Sequence, residues 1–76
     1  MNQSQLIMNA LILEANAKEA KAIANLQTYF TNPAGIGEHP DIVAECMKLV
    51  KEIAEARELS ATVNSLFVET NNENKE

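Results

Sequence analysis

Large apolar residues recur along this chain at intervals of three and four rather than two, the spacing of one face of an α-helix. The pattern is most regular in the second half. Ile42, Cys46, Leu49, Ile53, Ala56, Ser60, Val63 and Phe67 alternate four and three residues apart without a break, which is the seam of a heptad repeat. Val43, Met47, Val50, Ala54, Leu59 and Leu66 widen that stripe on both sides. Lys48 and Glu52, and Lys51 and Glu55, stand outside it as i,i+4 pairs, each contributing a few tenths of a kcal/mol.

The first half is patterned less cleanly. Glu14, Lys18, Lys21, Asn25 and Thr28 make one polar stripe, with Glu14 placed to pair with Lys18. Opposite lie Leu6, Met8, Ile12, Leu13, Ala20, Ile23, Leu26 and Phe30, which predicts the buried face of a first helix. Asn9, Asn16 and Gln27 interrupt the centre of that face. Asn9, Asn16, Ile23 and Phe30 are spaced seven apart, so two readings stand. Polar Asn in a shared seam fixes register and subunit number at some cost in stability; alternatively the helix is rotated slightly and the Asn side chains sit at a wet boundary. The alanines at 10, 15, 17, 20, 22 and 24 either admit a close neighbouring helix or serve helix propensity alone. Leu11, Ala15, Ala22, Leu26 and Tyr29 flank the stripe and offer a second usable face.

Both prolines and both glycines fall between residues 32 and 41. Pro33 crowds the α conformation of Asn32, so the first helix ends near Thr31 or Asn32. Gly35 and Gly37 can take positive φ cheaply and reverse the chain, with Ile36 as a plug for the open end. Pro40 suits the first position of a second helix beginning between His39 and Asp41, where Asp41 and Glu45 place negative charge near its positive end. At the amino terminus, Asn2 and Ser4 are equal candidates for the cap. After Val68 no apolar residue remains to anchor the chain. The sequence thus predicts an all-α, antiparallel two-helix hairpin in one domain. Its helices span about residues 4–31 and 40–68, joined by a loop at 32–39 and followed by a disordered tail at 69–76.

The run Asn-Pro-Ala-Gly-Ile-Gly-Glu-His-Pro-Asp-Ile-Val at 32–43, leading into Ile-Ala-Glu-Ala-Arg at 53–57, resembles a motif of short α-helical hairpin proteins encoded by tailed bacteriophages. The match covers about residues 29–58. It implies a phage accessory protein in a bacterial cytoplasm and carries over no activity and no functional residues.

Composition narrows the function further. A formal charge of −5 with only six Lys and Arg argues against affinity won by neutralising phosphates, so nucleic acid is not an expected partner. The apolar run from Leu6 to Leu13 is too short to span a bilayer and has no basic residues before it, so neither a membrane span nor a signal peptide is expected. The single cysteine, Cys46, lies on the apolar stripe, which suits a buried thiol in a reducing cytosol. Gly35-Ile36-Gly37 lacks a preceding strand or a nearby cation, and Glu38 and Asp41 would repel a phosphate. His39 with Glu38, Asp41 and Glu45 would need ligands from another subunit to hold a metal. His39 and Cys46 stand two turns apart with no third orienting group. No catalytic residue, cofactor or metal is therefore expected.

Two function classes remain. One is an interaction protein that self-associates, as a dimer forming a four-helix bundle, and binds a host or phage protein. Its interface would draw on Asn9, Ile12, Asn16, Ile23 and Phe30 of the first helix and Ile42, Leu49, Ile53, Val63 and Phe67 of the second. The other is an oligomer sequestering a small ligand or nucleotide between Asn9, Asn16, Gln27, Tyr29 and His39.

Overall fold

The computed structural model describes residues 2–32 and 41–73, with side chains of the second helix as far as residue 69. Two helices, α1 (Gln3–Thr31) and α2 (Ile42–Glu73), pack along their length as an all-α hairpin. Its dimensions are 58 × 18 × 15 Å. The loop roles expected of Gly35, Ile36, Gly37, His39 and Pro40 concern residues outside those described.

Each described helix end has a chemical cause. At the start of α1, Asn2 rather than Ser4 is the cap. Its side chain accepts from the Gln5 backbone N–H at 2.9 Å, and Gln5 Oε1 accepts in return from the Asn2 N–H at 3.0 Å. This reciprocal box satisfies two backbone donors that a bare helix end would leave unpaired. At the far end Asn32 leaves the α region, which a following proline disfavours, at φ −150° and ψ 64° while its N–H still donates to the Thr28 carbonyl. Helix α2 begins at Ile42, with Asp41 just outside it: the Asp41 carboxylate accepts from the Ala44 N–H at 2.9 Å, an N-cap bond. The second helix also runs farther than the sequence suggests. It continues to Glu73, five residues past Val68, because no Gly or Pro follows to break the i→i−4 ladder even though no apolar residue there calls for burial.

The seam of α2 is the eight-residue series read from the sequence. Leu49, Ile53 and Ala56 are buried, and Ile42, Cys46, Ser60, Val63 and Phe67 are half-buried. Helix α1 is rotated from the expected stripe toward the flanking face of Ala15, Ala22, Leu26 and Tyr29, with Leu11 of that face left exposed. Its inward residues are Gln5, Met8, Ile12, Ala15, Glu19, Ala22, Leu26 and Tyr29, an unbroken three-four alternation. The expected buried face is split: Met8, Ile12, Ile23 and Leu26 are half-buried, while Ala20 is exposed and Leu6, Leu13 and Phe30 are more than half exposed. The physical reason lies in the alanines. Ala22 packs with Leu49 and Ile53 at the centre of the core, where a small side chain lets the facing helix come close and a larger one would hold it off. The rotation sets Asn9 and Asn16 outside the seam between the helices, both exposed.

Candidate interaction surfaces

In an antiparallel helix pair, the positions just after the seam on both helices share one broad face, and those just before it share the other. The two faces differ in chemistry. One carries Lys18, Lys21, Asn25 and Thr28 of α1 beside Glu45, Lys48, Glu52, Glu55 and Leu59 of α2, which together line an open groove of about 640 Å3. Three lysines face three glutamates there, so the groove compensates its own charge. Toward the open end of the hairpin this face turns apolar, with Ile7, Leu11, Leu59 and Leu66 exposed.

The other face is apolar along its length. It presents Leu6, Leu13 and Phe30 from α1 and Val43, Met47, Val50 and Val68 from α2, all exposed. Asn9, Asn16, Gln27 and Asn64 supply its polarity, and among the described residues its single charged side chain is Arg57. The Arg57 Nε donates to Glu19 Oε2 at 2.8 Å, so that charge is already paired within the hairpin.

The residues expected to form an interface are thus divided. Leu49 and Ile53 are buried, and Ile12, Ile23, Ile42, Val63 and Phe67 half-buried, within the chain itself, while Asn9, Asn16 and Phe30 stand exposed. Of the polar residues that would surround a small ligand, only Tyr29 lines the groove. Asn9, Asn16 and Gln27 lie on or toward the other face, and His39 is outside the described residues. Tyr29 is half-buried at the loop end. Partial burial holds its phenol above the ordinary value of 10.0, and the charges of Glu45 and Cys46 push in the same direction. Cys46 is a free, half-buried thiol.

The inward alanines, Ala15 and Ala22, belong to the second face expected of the first helix, while the Glu19–Arg57 contact escapes a reading based on large apolar residues. A signal was present nonetheless, since Glu19 falls four after Ala15 and three before Ala22 and so continues the inward series. Among the described residues no group of three His, Cys, Asp or Glu side chains is placed to hold a metal ion, and no helix is long and apolar enough to cross a membrane. Compared with known proteins, the chain matches no family model, no curated protein and no solved structure.

Proposed function

We propose that this hairpin is a non-enzymatic, phage-encoded interaction protein that self-associates through its helices in the bacterial cytoplasm and binds a host or phage protein. One observation carries the self-association: among the described residues eleven large apolar side chains are exposed, whereas the buried core consists of Ala15, Ala22, Leu49, Ile53 and Ala56. Three of those five are alanines. At about 1.5–3 kcal/mol for each large apolar side chain fully buried, Leu49 and Ile53 offset little of the entropy of ordering two helices. The exposed residues hold most of the burial the described helices have left to gain, and a second chain laid against them would supply it. The phage and cytoplasmic parts rest on the motif at residues 32–43. The capture of a small ligand finds less support, because Asn9, Asn16 and Gln27 do not converge on the groove that Tyr29 lines.

Native mass spectrometry of the purified protein tests this reading, since it reports subunit count and retained molecules together. A dimer without a bound small molecule is expected. A monomer that persists at high micromolar concentration and retains a metabolite would overturn it in favour of the ligand binder.

A further inference from the structure

We infer that a second copy of this chain docks on the face that carries Leu13, Phe30, Val43, Met47 and Val50, pairing two hairpins broad side to broad side with the charged groove turned outward; this rests on the self-association proposed above and assigns its surface. Three observations favour that face and that occupant.

The first is area. The hairpin is 58 Å long and 18 Å broad, so one full face offers about 1,000 Å2, against the roughly 800 Å2 per partner of a standard stable interface. The apolar residues run the whole length, from Leu6 and Val68 at the open end to Phe30 and Val43 at the loop end, with exposures of 54%, 56%, 69% and 75%.

The second is charge. A chain of net charge −5 repels its own copy, and a two-fold interface places the same surface on both partners. The apolar face is the one on which identical surfaces meet without opposing like charges, because the only ionic group among its described residues, Arg57, is held by Glu19 of its own chain. On the other face, groups such as Glu52, Glu55 and Lys21 line the groove and would be stripped of water on pairing, at a cost that apolar contact there could not offset. The apolar face suits an anionic lipid surface poorly, since among the described residues it offers one arginine and no lysine.

The third is the thin core. With Leu49 and Ile53 as the only buried large residues among those described, the hairpin needs a partner from the moment it folds, and a second copy is the partner present wherever the chain is made.

The test is sedimentation equilibrium of the full chain and four variants. Val43→Glu is the most informative. Residue 43 lies in the first turn of α2, where a negative charge favours the helix, so lost association cannot be ascribed to a weakened helix. Val43→Glu and Leu13→Glu should each weaken dimerisation by at least ~10-fold. Val43→Ala removes the contact without adding charge and should weaken it several-fold, which keeps the test valid if the Glu variants fail to fold. Leu59→Glu on the groove face should change it by less than about twofold. A wild type that dimerises, with Leu59→Glu abolishing the dimer and the Val43 and Leu13 variants leaving it intact, overturns the assigned face while keeping self-association. A wild type that stays monomeric at high micromolar concentration overturns both.

Discussion

Glu19 of α1 accepts a hydrogen bond from Arg57 of α2 at 2.8 Å across 38 residues of sequence, and it does so from a position within the inward series of its helix. The Arg57 side chain is 64% exposed and that of Glu19 24%. A pair this wet contributes at most about 1 kcal/mol. A leucine at a half-buried seam position gains more than that, and its volume suits a site flanked by Ala15 and Ala22. Glu19→Leu is therefore expected to stabilise the fold by on the order of 1 kcal/mol, read from urea unfolding at fixed chain concentration. A loss of stability would show that the ion pair specifies helix alignment beyond its Coulombic worth.

Ala22 is 2% exposed and packs with Leu49 and Ile53. Ala22→Leu should overpack this crossing and cost about 1–3 kcal/mol. Ala24→Leu places the same bulk on an exposed position and should cost less than about 0.5 kcal/mol. Comparing the two by thermal melting separates close approach from helix propensity; equal costs would mean that Ala22 serves propensity alone.

That contrast also explains which parts of the hairpin are legible in the sequence. Helix α2 builds its seam from Ile42, Leu49, Ile53, Val63 and Phe67, residues whose size announces burial, so its facing is read directly. Helix α1 builds the centre of its seam from Ala15, Glu19 and Ala22. Alanine gives a weak hydrophobic signal, and a glutamate gives one of the wrong sign. Leu6, Leu13 and Phe30, being large, announce an inward face but lie outside. Large apolar residues report what must be covered, whether by the same chain or by another, while small ones report where helices meet. The ends are legible to within a residue or two where a polar side chain can cap, as at Asn2, and α2 runs past Val68 because absent apolar anchors do not by themselves stop a helix.

Tyr29 gives the fold a pH dependence with a definite sign. Its phenol is raised by partial burial first, then by Glu45 and Cys46, so the folded state holds the proton more tightly than the unfolded chain, whose tyrosine titrates near the ordinary value of about 10. The stabilisation is complete below that value and is lost as pH rises through the folded-state pKa. Tyr29 is the only tyrosine and there is no tryptophan, so tyrosinate absorbance follows it alone. Glu45→Gln should lower the midpoint toward the ordinary value; an unmoved midpoint would leave burial and Cys46 as the causes.

Asn16 stands exposed on the apolar face. Asn16→Leu should raise the stability of the assembly while loosening the choice of subunit number, because a polar group in a shared seam penalises arrangements that leave it unpaired. Sedimentation equilibrium of mutant and wild type decides this. A less stable mutant with unchanged stoichiometry would give Asn16 a structural role within its own chain.

The buried residues Ala15, Ala22, Leu49, Ile53 and Ala56 cluster in the middle of the hairpin, and the seam toward the chain ends is held by half-buried groups such as Gln5, Met8, Ser60 and Phe67. Such a molecule should open like a zipper, with the first residues of α1 and the last of α2 exchanging their amide protons well before the centre does. Tyr29 sits at the opposite end, beside Glu45, so its fluorescence would stay constant while those turns unravel. Early losses of helical signal in circular dichroism, at temperatures where the tyrosine reports nothing, would mark the fraying as local and separate it from global unfolding.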